Sequence, residues 1–232
     1  VSDHFFYPSP RAHIRIPIYK RFLSYLYPVS LRKSPGAINS YLEVFLSRNQ
    51  LQLATTDALY SDGDRYRPAI SALDHLQLYL ADIKTVLVLG TGLGSMVRAM
   101  ARKGYDPDFT LVDNDKVVLQ WAIEFLDDTP AGDIIPLCTD ARQFMAQNTI
   151  KYDMVFIDIF NGRVVPSFVT TTIFLKQCLD SLNAGGHLIF NYIINDPQQW
   201  EMVKNVCSVV MPGYKVIDMS INRIIIARAP GA

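Results

Sequence analysis

The chain has 232 residues, half of them hydrophobic, with 22 basic and 22 acidic side chains. That allows one large domain, or a core domain with a small appendage, around a sizeable buried core. The balanced charge argues against a general nucleic-acid binder, and no apolar run reaches the ~18 residues that suggest a membrane span.

The opening, VSDHFFYPSPRAH, has neither an initiator Met nor the layout of a signal peptide, and reads as a trimmed start. Two aromatic-rich stretches, 5–7 and 19–27, follow without a clean period. The second is expected as a packed helix or strand buried within the chain, with a homodimer interface as the alternative. Residues 41–46 and 51–54 flank Arg48-Asn49 and predict a hairpin. From 85 onward, strand and helix patterns alternate. TVLVL (85–89) is an apolar β-branched run ending in glycine, as in a buried parallel strand. Residues 94–103 place Val97, Met100 and Ala101 at helical spacing and stop at Gly104. A second strand, 109–112, leads to Asp113, and Val117, Val118, Trp121, Ala122 and Phe125 then share a helical face. Strands at 134–137 and 154–157 enclose a helix at 142–147. Thr171 or Thr172 caps a helix burying Phe174, Leu175, Cys178, Leu179 and Leu182; a break at 183–186 precedes a fifth strand, 187–194. Asp196-Pro197 opens a helix with Trp200, Val203, Val206, Cys207 and Val210 inward. Strands at 214–219 and 223–227 end the pattern. Cys138, Cys178 and Cys207 have no metal-ligand spacing and read as reduced core residues, which suggests the cytoplasm.

This order predicts an α/β, Rossmann-like fold. Residues 81–232 form the seven-stranded sheet of a class I S-adenosylmethionine-dependent methyltransferase, and residues 1–80 form an N-terminal extension carrying the β-hairpin. The final pair of adjacent strands separates this fold from a dinucleotide dehydrogenase, whose parallel pattern continues into a second domain.

The strongest local signal is Gly90-Thr91-Gly92-Leu93-Gly94 between a strand and a helix. Glycines there let the backbone turn sharply and approach a ligand, while helix N-terminal amides face its polar groups. The spacing is tighter than the dinucleotide G-x-G-x-x-G. Asp113, at the end of the second strand, can accept hydrogen bonds from both ribose hydroxyls; a helix N-cap is the alternative, for which Asp115 is better placed. Asp140 ends the third strand and can meet an adenine amino group, with the Ala141 amide on a ring nitrogen, or else cap the next helix. Asp158 ends the fourth, where a carboxylate can orient an amine or accept its proton. These sites share the carboxyl edge of the sheet, where ligands of open α/β folds bind.

The chain resembles the spermidine synthase (polyamine aminopropyltransferase) family, as a divergent bacterial member, over roughly residues 40 to 195. The likeness rests on the glycine loop, on VDNDKVVLQWAIEFL and TDARQFM, and above all on YDMVFIDIFNGRVVPSFVTTTIFLKQCLDSLNAGGHLIFN. The resemblance implies that the hairpin belongs to a small N-terminal β-domain and that Gln52 touches the nucleoside. It implies a catalytic role for Asp158 with Tyr60 and Asp62, the counterpart of the family's Y-[HQ]-E segment; Tyr66-Arg67-Pro68 fits the distance to Gly90 better. Two family acids are absent, replaced by Leu93 and Asn161. A diamine needs paired carboxylates to bury its ammonium groups, so the acceptor is expected to be an amine other than putrescine.

Three functions are compatible with these residues. One is aminopropyl transfer from decarboxylated S-adenosylmethionine to a small-molecule amine, releasing methylthioadenosine. Another is methyl transfer from S-adenosylmethionine, releasing S-adenosylhomocysteine. The third is a nucleoside-binding module without catalysis. Fold alone does not choose among them.

Overall fold

The computed structural model describes residues 16–36, 40–56 and 59–231; the aromatic stretch at 5–7 lies outside them. The described chain opens with α1 (Ile18–Leu23). Four strands follow: β1 (Val29–Ser34), β2 (Leu42–Ser47), β3 (Gln50–Ala54) and β4 (Leu59–Ser61). They form an antiparallel sheet in that order. The expected hairpin is its centre. Ser47 pairs with Gln50, and the two residues between, Arg48 and Asn49, take φ of 49° and 61°. Positive φ at both loop positions is the turn whose twist matches the flanking strands.

Next come α2 (Arg67–His75), β5 (Thr85–Leu89), α3 (Ser95–Arg102), β6 (Asp108–Asp113) and α4 (Lys116–Leu126). They are followed by β7 (Ile134–Cys138), α5 (Ala141–Gln147), β8 (Tyr152–Ile157) and α6 (Thr172–Asp180). The chain then runs through β9 (Leu182–Ile193), α7 (Pro197–Val210), β10 (Lys215–Met219) and β11 (Asn222–Arg228). The second sheet has seven strands in the order β10-β11-β9-β8-β5-β6-β7. Strands β9 to β7 in that order are parallel, whereas β11 runs antiparallel to both neighbours. This is the predicted α/β fold.

Alternation along β5 explains how both faces of the sheet are covered. Val86 and Val88 enter one core with Leu73 of α2 and Met96 and Met100 of α3. Leu87 and Leu89 enter the opposite core with Met145 of α5, Phe174 and Cys178 of α6 and Cys207 of α7. A period-two strand with helices on both faces gives this layering. Val118, Trp121 and Phe125 of α4 pack instead under the small sheet, against Leu42, Val44, Leu53 and Leu93. The helices start where expected: Asp115, Asp140, Thr171 and Asp196 each accept a backbone amide at an N-cap.

Two expectations need correction. The predicted break at 183–186 is a bulge inside β9: pairing with β8 skips from Tyr152–Leu182 to Met154–His187, around Gly185 at φ 74°. The segment 19–27 is not an intramolecular core. Tyr19, Phe22, Tyr25, Leu26 and Tyr27 are exposed, Leu26 by 80%. Polar contacts dock the segment instead: Arg48 N donates to Ser24 O over 2.6 Å, Asn49 N to Ser24 Oγ over 2.8 Å, and the Arg21 guanidinium to Asn49 Oδ1 over 2.9 Å. The helix α2 lies in a stretch left unassigned above, although Pro68 near its start and Ala69, Ala72, Leu73 and Leu76 at helical spacing mark it. Among the described residues no helix is long and apolar enough to cross a membrane.

Candidate active site

Strand order reverses at β5, which pairs with β6 on one side and with β8 on the other. Such a reversal leaves a crevice beyond the carboxyl ends of the strands. Asp158 N donates to Leu89 O over 2.8 Å and Gly90 N to Val112 O over 2.9 Å, which ties the ends of β5, β6 and β8 together. Gly90 has φ 90°, and a Cβ there would run into the Asp158 backbone carbonyl. Only glycine lets the two strand ends approach in this way. Gly92, at φ 53°, also faces the crevice, whereas Gly94, at φ 74°, packs against Leu126 of α4. A cavity of about 580 Å³ opens here.

Asp113 lies on one wall. Its Oδ2 accepts the Thr91 amide at 2.9 Å and its Oδ1 the Asp115 amide at 3.0 Å. Burial pushes its pKa up to about 6, against the pull of those amides. Asp115 caps α4 through the Val117 and Val118 amides at 2.9 and 3.4 Å, so the two acids divide the work. Asp140 takes the cap role that was its alternative and stands at the cavity as well. It accepts the Arg142 and Gln143 amides at 2.9 and 3.1 Å as the cap of α5, and it lines the cavity beside Ala141.

Asp158 holds the opposite wall within a hydrogen-bonded chain. Tyr66 Oη donates to Asp158 Oδ1 over 2.9 Å, and Asn191 Nδ2 donates to the same oxygen over 2.8 Å. Asn191 Nδ2 also lies 3.0 Å from Tyr66 Oη, and Asn222 Nδ2 donates to Asn191 Oδ1 over 2.8 Å. The Asp158 carboxyl is walled by protein but faces the cavity. Burial raises its pKa to about 6, and the bonds from Asn191 and Tyr66 limit the rise. Tyr66 is raised well above the usual phenol value, first by burial and then by the charge of Asp158.

Tyr60 and Asp62 line the same cavity. Tyr60 Oη accepts the Gly162 amide at 2.7 Å, which fixes the loop after β8. Gln52 reaches the site through Asp62, donating Nε2 to its Oδ1 at 2.5 Å. Asn161 lines the cavity in a tight turn closed with Val164. Leu93 is fully buried under the small sheet. Sequence reasoning missed Asn191 and Asn222 and preferred Tyr60 to Tyr66 at the acid. A lone asparagine inside the apolar run LIFNYI was the available signal, because a buried amide requires partners.

Comparison with known proteins shows the family. A family model described as the spermine/spermidine synthase domain matches residues 69–221, more than half of the chain. A probable polyamine aminopropyl transferase of Bifidobacterium longum is 28% identical over 162 residues, covering 66% of this chain and 36% of that protein. A polyamine aminopropyltransferase of Vibrio vulnificus is 29% identical over 109 residues, 46% of this chain and 36% of that one. The chain thus spans little more than a third of the length of these curated relatives. Among solved structures, spermidine synthase from Thermotoga maritima superposes with a TM-score of 0.65 at 17% identity, over 86% of this chain and 72% of that one. A probable spermidine synthase from Corynebacterium glutamicum gives 0.69 at 18%, over 86% and 79%. Human methyltransferase-like protein 13, in complex with SAH, gives 0.56 at 19%, over 72% and 81%. At these identities the structural likeness shows the fold, a seven-stranded sheet common to synthases and methyltransferases. With the family model spanning the glycine loop, both cavity walls and the strand that carries Asn191, the chain belongs to the spermine/spermidine synthase domain family.

Proposed function

We propose that the cavity binds decarboxylated S-adenosylmethionine and that the protein transfers its aminopropyl group to an amine other than putrescine. The observation that carries this reading is the Asp158 carboxyl, held by Tyr66 and Asn191 across the crevice from the glycine loop and Asp113. The residues fit an adenosyl group. Gly90 and Gly92 line the cavity with bare backbone, Asp113 is the acceptor for ribose hydroxyls, and Asp140 with the Ala141 amide serves adenine. Decarboxylated S-adenosylmethionine supplies a carbon activated by a sulfonium: the amine nitrogen bonds to it as the C–S electron pair returns to sulfur, leaving methylthioadenosine. The chain's own contribution is alignment and a proton acceptor. Asp158, with a pKa of about 6, is largely ionised at pH 7, and can orient the amine and take the proton it sheds. The free thiols of Cys138, Cys178 and Cys207 suit a reducing compartment such as the cytoplasm.

A second reading, methyl transfer from intact S-adenosylmethionine, draws on Arg67 and Arg163, which line the same cavity and can face a carboxylate. Titrating the protein with intact and decarboxylated S-adenosylmethionine side by side separates the two. Tighter binding of the decarboxylated form, with methylthioadenosine formed over an amine panel, supports aminopropyl transfer; tighter binding of the intact form overturns it. Tight methylthioadenosine binding with no turnover over that panel supports a nucleoside-binding module.

A further inference from the structure

The cavity has two chemically different ends. Asp113, Asp140 and Ala141 mark one, and Asp158 with Tyr66 marks the other. Two cavity-lining arginines adjoin residues of the second end along the chain. Arg67 opens α2 directly after Tyr66, whose hydroxyl is bonded to Asp158. Arg163 follows Gly162, whose amide is bonded to Tyr60, and its own carbonyl accepts the Asn195 amide group at 2.9 Å. Both line the cavity, and among the described residues neither guanidinium has an ion-pair partner. Arg65 lines it too, but its guanidinium is engaged with the Arg48 carbonyl at 3.2 Å.

The acids at this end are Asp158 and Asp62, and Asp62 already accepts from Gln52. Asn161 is neutral, and Leu93 is turned into the core under the small sheet. A diamine would leave its far ammonium among guanidinium groups with few carboxylates to receive it, which is unfavourable in a partly dry site. A carboxylate matches the same donors, because the guanidinium fork pairs with its two oxygens.

We infer that the Asp158 end of the cavity receives a carboxylate through Arg67 and Arg163. Its source is either an acceptor that is an amino acid rather than a diamine, or the intact aminocarboxypropyl arm of S-adenosylmethionine. This rests on the nucleoside reading of the cavity and adds to it the charge of what lies beyond the sulfur.

Two matched pairs test it by calorimetry, after binding of methylthioadenosine has been established. Ornithine and putrescine, titrated into the protein saturated with methylthioadenosine, differ only in a carboxylate. S-adenosylhomocysteine and its decarboxylated analogue differ in the same way. The carboxylate-bearing member of at least one pair is expected to bind tenfold or more tightly, and the preferred pair identifies the source. The preference should shrink in Arg67→Gln and Arg163→Gln, vanish in the double variant, and persist partly in the lysine variants. Both residues are exposed, and unchanged methylthioadenosine affinity in the variants checks that the cavity is intact. Equal or weaker binding of the carboxylate member in both pairs overturns the inference, as does a preference surviving in the double variant. Failure of methylthioadenosine itself to bind overturns the nucleoside reading instead.

Discussion

Tyr66 and Asp158 stand 92 residues apart in the sequence, yet the Tyr66 hydroxyl donates to Asp158 Oδ1 over 2.9 Å. The bond joins the start of α2 to the end of β8 and favours the charged carboxylate, which burial otherwise disfavours. Tyr66→Phe removes that donor while Asn191 stays in place. The Asp158 pKa should therefore rise above about 6, and the acid limb of the pH–rate profile should move to higher pH. The deficit at pH 6 should be largely recovered at pH 8. An acid limb that stays in place would show that Tyr66 only packs the site.

Asp113→Ala should weaken methylthioadenosine binding by roughly 1–3 kcal/mol, the typical cost of losing a charged hydrogen-bond partner. Part of the loss is indirect. The Asp113 carboxylate also holds the Thr91 and Asp115 amides, so its removal slackens the glycine loop and the start of α4. Asp113→Asn keeps one acceptor oxygen and should fall between parent and Ala. Unchanged affinity in a folded variant would remove Asp113 from the nucleoside site.

The same two acids give the stability a definite pH signature. Asp113 and Asp158 are both raised by burial from 3.8 to about 6. Between those values the folded chain keeps protons that the unfolded chain has released, so their contribution to stability falls as pH rises from about 4 to about 6. Other acids oppose this. Burial pushes Asp153 up, but the bonds from Asn183, the Lys84 and Thr85 amides and the Thr85 hydroxyl outweigh it and hold its carboxyl below the usual range. The measurement is therefore a difference: urea unfolding of parent and of Asp113→Asn/Asp158→Asn at pH 4 and pH 6. The double variant should gain stability relative to the parent as pH rises. A constant difference would mean that the two carboxyls are not raised.

What the sequence made legible is what local pattern encodes. TVLVL, the glycines after it and the acids at three strand ends are each set by neighbours within a few residues, and together they located the sheet edge and both cavity walls. The four helix caps were readable for the same reason. The Asp158 surroundings were not, because Tyr66, Asn191 and Asn222 come from α2, β9 and β11 and meet only through the order of strands. Pro68 and the spacing of Ala69, Ala72 and Leu73 mark RPAISALDH as the start of a helix, but nothing in it shows that this start abuts an acid on β8. Leu93 carries the opposite lesson. Set against the family pattern it reads as a lost acceptor acid, whereas in three dimensions it is a core residue joining α4 to the small sheet.

Asp158 should be the essential polar group of the transfer. It ends β8 at the strand reversal, against the loop that approaches an adenosyl ligand, and its carboxyl faces the cavity from within a fixed set of donors. Asn161, three residues on, is neutral, and Asp62 is tied to Gln52. Asp158→Asn preserves the shape and removes the charge and the basic site. Tyr66 and Asn191 both donate to Oδ1, so the amide oxygen of an asparagine can keep both bonds while its NH2 takes the place of Oδ2. The transfer rate should drop by ~10²-fold or more, within the range for general acid–base groups, and the limb near pH 6 should disappear. Methylthioadenosine affinity should change far less, because the proposed nucleoside contacts lie on the Asp113 and Asp140 wall. Nucleoside affinity by calorimetry and single-turnover rates from pH 5 to pH 9 separate the two effects. If the variant turns over like the parent, the proton goes elsewhere, and Asp62, the other carboxylate at this end of the cavity, becomes the residue to substitute.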